Sequence, residues 1–226
     1  LGQGIANAVG MALAERLLNQ RYGDEIVHHH TYVIAGDGCL MEGISQEAIS
    51  LAGHLKLGRL IVLFDDNQIS IDGPTSLSVS DDQIERFRAS GWHTAKVDGH
   101  KPEAIALGIA NARASTDRPS LIACRTVIGY GAPKKQGTAA THGSPLGEEE
   151  IKGARETLGW GHAAFEVPKP ILASWRAAGA RNAAAYERWQ SAANRLDPAK
   201  RAHLTDPVDP DVRAKIVAAV KALKSD

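Results

Sequence analysis

Asp37, within Gly36-Asp37-Gly38, and Asn67, within Asp65-Asp66-Asn67, stand thirty residues apart and both present hard oxygens. A carboxylate and an amide oxygen suit Mg²⁺, which takes a few protein oxygens and completes its octahedron with phosphate oxygens and water. Ca²⁺ or Mn²⁺ can use the same donors. A cation held there would neutralise a diphosphate lying against glycine-flanked backbone N–H groups. Taken alone, Gly-Asp-Gly is an ordinary turn with no ligand role.

The elements around the two residues change that reading. Thr31 to Ala35 (Thr-Tyr-Val-Ile-Ala) is a buried-strand run, so Asp37 falls at a strand's C-terminal end, where open parallel sheets bind ligands. Gly43 to Leu57 follows as a helix, with Ile44, Ala48, Leu51, Ala52 and Leu55 at helical spacing as one expected apolar stripe. Leu60 to Phe64 (Leu-Ile-Val-Leu-Phe) is a second buried strand, and Asp65-Asp66-Asn67 ends it. A strand, helix and strand fill the interval and bring both candidate ligands to one sheet edge. That pattern is the signature of a thiamine diphosphate site.

Five segments carry a closer resemblance. They are Gly2-Gln3-Gly4-Ile5-Ala6-Asn7-Ala8-Val9-Gly10-Met11-Ala12, Gly36-Asp37-Gly38-Cys39-Leu40-Met41-Glu42-Gly43-Ile44-Ser45, Leu51-Ala52-Gly53-His54-Leu55-Lys56-Leu57-Gly58, Asp65-Asp66-Asn67-Gln68-Ile69-Ser70-Ile71-Asp72-Gly73 and His142-Gly143-Ser144-Pro145-Leu146. In this order and spacing the chain resembles the N-terminal, cofactor-diphosphate-binding domain of transketolases. The match is firm to about Trp160 and looser beyond. The combination is more specific than the general thiamine motif, which pyruvate decarboxylases and 2-oxoacid dehydrogenases share.

The resemblance implies roles for individual residues. Asp37 and Asn67 would ligate the metal, joined by the backbone carbonyl of Ile69. Gly38 would give its N–H to phosphate, the missing Cβ permitting close approach. Leu1 and Ile71 would pack around the cofactor rings and hold them bent. His142, in a glycine-rich loop, would contact the diphosphate and lie near the reacting sugar. Glu42 and Glu47, at the start of the helix the family uses at its dimer interface, would join a chain of acidic groups linking two active sites, where shared protons keep all of them from ionising. A structural role is the other reading of these two, because carboxylates near a helix N-terminus are stabilised by its dipole. Lys134 and Lys135 are weak candidates for phosphate contact.

The implied activity is transfer of a two-carbon glycolaldehyde unit from a ketose phosphate to an aldose phosphate, the reaction of the pentose phosphate pathway and Calvin cycle. The protein would act as a homodimer with each active site shared between subunits. The activating glutamate and the phosphate-binding arginines belong, in the family, to a pyrimidine-binding domain absent from these residues, so the chain alone is expected to be inactive. It begins inside a motif and is read as an interior piece. A split transketolase subunit, a dihydroxyacetone synthase-like enzyme and a noncatalytic cofactor-binding remnant are the alternatives.

Composition fits one compact α/β unit. A chain of 226 residues with 43% hydrophobic content can bury a sizeable core. Twenty-six acidic and twenty-six basic side chains leave no net field, which argues against duplex nucleic acid as a partner. Two cysteines, Cys39 and Cys124, cannot build a disulfide framework, and no apolar run reaches membrane-spanning length. The expected compartment is the cytoplasm.

Beyond the second strand, alternation continues toward an open, mainly parallel sheet with helices on both faces. Ser80 and Gln83 read as a capping box opening a helix that ends near Gly91. His93 to Val97 is an expected strand, Pro102 to Ser115 a helix, Ser120 to Val127 a strand, Gly129 to Gly147 a long loop and Glu148 to Leu158 a helix. The thiamine diphosphate and Mg²⁺ domain is placed at residues 1–160. Residues 161–226 form a helical extension and the start of a linker, closing with an amphipathic helix over Val208 to Asp226.

Overall fold

The computed structural model describes residues 1–205 and 210–224. The chain divides into two compact units, Leu1–Pro168 and Lys169–Asp226. In the first, helix α1 (Gln3–Tyr22) precedes strand β1 (Thr31–Gly36), short helix α2 (Asp37–Met41) and helix α3 (Gly43–His54). Strand β2 (Leu60–Asp66) runs into a ribbon of two-residue strands, β3 (Ile69–Ser70) and β4 (Gly73–Pro74). Then come α4 (Gln83–Ala89), β5 (His93–Asp98), α5 (Pro102–Ala114), β6 (Ser120–Arg125) and α6 (Glu148–Thr157).

The four long strands lie in the order β1-β2-β6-β5 and pair only in parallel. Their registers align the carboxyl ends: Gly36 lies opposite Asp65, Asp66 opposite Arg125, and Arg125 opposite Asp98. The turns after β1, β2, β5 and β6 therefore open on one edge, as the apolar runs implied. Leu60, Ile61 and Val62 in β2 and Leu121, Ile122 and Ala123 in β6 are fully buried, because helices cover both faces of these central strands.

On one face α1, α3 and α4 close over Val62, Phe64, Leu121 and Ala123, with Ile5, Ile49 and Phe87 filling the layer. Each fully buried Leu, Ile or Phe there contributes about 1.5–3 kcal/mol. Trp92 packs edge-on against Phe87 at 4.8 Å and donates its indole N–H to the Ile49 carbonyl at 2.9 Å, so its polar atom is satisfied. A Cβ on Gly53 would fall 1.8 Å from the Ser90 carbonyl oxygen, so α3 and the turn after α4 meet only because residue 53 has no side chain. On the other face α5 packs against Ile61, Ile122 and Cys124. Over β1 that face stays open, with Ile34 79% exposed.

Several expectations need correction. The buried face of α3 is Ser45, Ala48, Ile49, Ala52 and Gly53, whereas Ile44 and Leu51 are half-exposed. The helix is rotated so that its small residues and Ile49 face the core, and the expected stripe is split. The cap of α4 is Asp82, whose carboxylate accepts the Glu85 N–H at 3.1 Å, rather than Ser80. Strand β2 extends through Asp65 and Asp66, and β6 ends at Arg125, two residues early. Helix α1 and the β3–β4 ribbon are additions to the expected elements.

The second unit is helical: α7 (Lys169–Ala180), α8 (Ala183–Asn194), α9 (Pro198–Thr205) and α10 (Pro210–Leu223). Tyr186 and Trp189 stack at 6.0 Å along α8. The expected bounds of the final helix, Val208 and Asp226, lie outside the described residues.

Candidate metal and diphosphate site

Asp37 is the first residue of α2, beyond the carboxyl end of β1, and Asn67 immediately follows β2. The two ends are joined where the Gln68 N–H donates to Asp37 Oδ2 at 3.2 Å. The Asn67 amide is held on both sides, its Oδ1 accepting the Ile69 N–H at 2.9 Å and its Nδ2 donating to Asp65 Oδ2 at 3.2 Å. Gln68 has φ +61°, a left-handed conformation that costs a side-chain-bearing residue about 1–2 kcal/mol. The surrounding bonds sustain this strain between two of the candidate ligands, the kind of place where functional sites store it.

Electrostatics favour a cation. Burial, then the neighbouring Asp66 carboxylate, pushes the Asp37 carboxyl up to about 6; Gln68 and Asn67 N–H bonds pull it back and Asp65 raises it further. A carboxyl raised first by burial and then by neighbouring carboxylates ionises at a cost that a divalent ion beside it would offset. Among the described residues, no three His, Cys, Asp or Glu side chains converge into a metal cluster. A cation held here would take one carboxylate, an amide oxygen and a backbone carbonyl, with its remaining oxygens from outside the chain. That is the donor set of Mg²⁺ bound with a phosphate ligand.

Around this centre, Gly38 lies in the first turn of α2, where backbone N–H groups lack intrahelical partners. A Cβ there would sit 3.5 Å from Leu1 Cδ1, so Leu1 and Gly38 share one corner of the site. Gly2 seats the N-terminal motif: its φ is +80°, and a Cβ would fall 2.7 Å from Ile44 Cγ2 and 2.8 Å from Glu42 Cβ. Leu1 and Ile71, the latter in the β3–β4 turn, leave 72% and 68% of their surfaces exposed. Apolar side chains open beside a polar centre suit the ring packing expected of them.

A cavity of about 270 Å³ opens between Asn67, Ile69, Thr75, Arg125, Val127 and Gly137. No sequence motif marks Arg125, yet its Nη1 donates to the Asp66 carbonyl at 2.9 Å and lies 3.3 Å from Asp66 Oδ1. It therefore balances one carboxylate of the acidic edge and gives the cavity a cation. The Thr126 hydroxyl bonds Asp65, tying the end of β6 to the strand that delivers Asn67. A lone Arg at a strand end carries no sequence signal for this pairing.

The remaining candidates stand apart from this group. His142 is exposed, just past a 3₁₀ turn (Ala139–Thr141), and its N–H donates to the Ala139 carbonyl at 2.9 Å. Among the described residues no hydrogen bond joins its ring to Asp37, Asn67 or Ile69. Glu42 is the half-buried N-cap residue of α3, with no side-chain cap bond, and Glu47 is exposed on the same helix. Lys135 is used elsewhere, its Nζ donating to the Leu146 carbonyl at 2.8 Å.

Residues 1–211 match the family described as "Transketolase, thiamine diphosphate binding domain". The transketolase of Cereibacter sphaeroides is 62% identical over 191 residues, covering 84% of this chain and 29% of that protein. The solved transketolase of Campylobacter jejuni aligns with a TM-score of 0.87 at 36% identity, over 95% of this chain and 34% of that one. The Pichia stipitis transketolase solved in complex with sedoheptulose-7-phosphate aligns with a TM-score of 0.82 at 40% identity, over 91% and 30%. The chain thus spans about a third of the length of these relatives. With the Asp37–Asn67 geometry in place and the family match running through nearly the whole sequence, the chain belongs to the transketolase thiamine diphosphate binding domain family.

Proposed function

We propose that the protein carrying this chain transfers a two-carbon ketol unit between sugar phosphates, as a transketolase, and that this chain supplies the metal and diphosphate half of the site. The observation that carries the reading is the convergence of Asp37 on the Asn67–Ile69 turn through the Gln68 N–H, in an acidic edge where Arg125 pairs with Asp66 and three carboxylates, Asp37, Asp65 and Asp66, share that one guanidinium. Asp37, Asn67 and the Ile69 carbonyl hold Mg²⁺, and Gly38 offers its N–H to the diphosphate. Leu1 and Ile71 pack on the cofactor rings, excluding water from one side. Thiamine diphosphate, when bound, supplies the carbon nucleophile and electron sink for cleaving the ketose chain.

His142 reaches the diphosphate and the sugar from its loop. Glu42 and Glu47 face a second subunit in a homodimer, where acidic groups share protons between sites. The sugar phosphate bound by the Pichia stipitis relative supports ketose phosphates as donors. By its family the protein is placed in the cytoplasm, and no helix among the described residues is long and apolar enough to cross a membrane.

Ketol transfer is tested by supplying a ketose phosphate and an aldose phosphate with thiamine diphosphate and Mg²⁺, and following the sugars by mass spectrometry. The expected products are one sugar shortened and one lengthened by two carbons, lost on chelating the metal. Cofactor binding without these products, in the complete homodimer, would instead favour a noncatalytic cofactor-binding protein.

A further inference from the structure

Three consecutive glutamates, Glu148, Glu149 and Glu150, open α6, and only Glu150 is buried, at 7% exposure. A buried carboxylate is costly unless hydrogen bonds satisfy it. Glu150 Oε2 accepts the backbone N–H groups of Lys134 at 3.1 Å and Lys135 at 3.2 Å, 16 and 15 positions back in the chain. The positive end of α6 favours the same charge. Where the loop passes over the next turn, a Cβ on Gly153 would fall 2.1 Å from Pro133 Cγ, so Pro133 seats directly on helix backbone.

The second half of the arrangement is the Lys135 side chain. Its ammonium crosses the neck of the loop to the Leu146 carbonyl, enclosing residues 136–145 as a closed excursion. His142 lies within that excursion. At its near end, Gly137 donates its N–H to the Ile128 carbonyl at 2.7 Å and lines the cavity shared with Asn67 and Ile69. One chain of contacts thus runs from a buried carboxylate in α6 to both ends of the segment bearing His142, beside the metal-ligand turn.

We infer that Glu150 and Lys135 are positioning residues: the Glu150 carboxylate fixes the Lys134–Lys135 backbone, and the Lys135 ammonium closes the loop neck on Leu146, aiming the His142 segment at the diphosphate site. Neither touches the reacting groups. The aim of His142 rests on the proposed function; the latch itself does not.

The test is hydrogen exchange on the complete protein, with thiamine diphosphate affinity measured alongside at saturating Mg²⁺. Lys135→Ala removes the neck bond and leaves Glu150 with its two backbone donors. Exchange across 136–145 should quicken about tenfold, the loss expected for one charge-assisted hydrogen bond, while β2 and β6 stay unchanged. The cofactor Kd should rise severalfold with affinity for Mg²⁺ alone unaltered, and Lys135→Arg should restore part of both. Glu150→Gln, which keeps an acceptor, should fall between wild type and Glu150→Ala. Wild-type exchange across 136–145 in Lys135→Ala would overturn the latch, whether or not Glu150→Ala folds. Failure of the wild-type protein to bind thiamine diphosphate would overturn the proposed function and leave the exchange result to judge the latch.

Discussion

Asp37 and Asn67 are delivered by strand ends, whereas His142 is delivered by a long loop, and the two regions are fixed by different means. The first pair needs no dedicated tether: parallel registers align β1 and β2, and the Gln68 N–H completes the approach. Their placement is inherited from the buried core, so it is as stable as the sheet. His142 has no such inheritance. Its segment is tied down by two bonds to the Glu150 carboxylate and one from the Lys135 ammonium, each worth about 1.5–3 kcal/mol as a hydrogen bond to a charged group. A site can therefore combine a rigid metal half with a half whose order is set locally and can be lost without unfolding.

The largest expected effect comes from removing the Asp37 carboxylate, which links the two strand ends. Asp37→Ala should weaken metal-dependent thiamine diphosphate binding by more than the roughly 100-fold upper end for an outer-shell partner of a metal. Asp37→Asn sharpens the point through pH. The folded carboxyl is raised to about 6, above its unfolded value, so the stability it contributes is present at low pH and lost as pH rises through about 6. In metal-free protein at pH 7.5, Asp37→Asn should therefore raise Tm, measured by calorimetry, while abolishing the further rise that Mg²⁺ and cofactor give the wild type. In the wild type, metal affinity should fall as pH drops below about 6, because the proton competes for the same oxygen.

Next in size is the loop. His142→Ala should lower kcat by about 100-fold, in the range for a positioned proton-handling or hydrogen-bonding side chain, with Mg²⁺ affinity and Tm unchanged. A simultaneous loss of metal binding would erase the distinction between the two regions. Smaller again, Glu42→Gln and Glu47→Gln should weaken dimer association or cofactor activation by about tenfold, the scale of one charge-assisted bond, read by analytical ultracentrifugation and steady-state kinetics. If both values match wild type, the acidic link between subunits is wrong.

The same contrast explains what could be read from the sequence. Asp37 and Asn67 were legible because continuous apolar runs announce buried strands, and turn-forming triplets end them. The cap of α4 lies two residues past the expected Ser80 because Ser80 and Asp82 are both good caps, and only the bond to the Glu85 N–H decides between them. The α3 stripe misled because Ile44 and Leu51 satisfy the helical period while the buried face runs through Ser45, Ile49 and Gly53. Two-residue strands such as Ile69–Ser70 and Gly73–Pro74 have no period to detect. Glu150 is indistinguishable in sequence from Glu148 and Glu149, and only packing against Lys134 and Lys135 singles it out.

The most direct measurement is isothermal titration of thiamine diphosphate into the complete protein, with Mg²⁺ and with chelator, for wild type and Asp37→Ala. The expected result is tight binding for wild type with Mg²⁺ only, and none for Asp37→Ala under either condition. Equal affinity of the two proteins, or wild-type binding that persists in chelator, would contradict the assignment of Asp37, Asn67 and Ile69 as the metal centre.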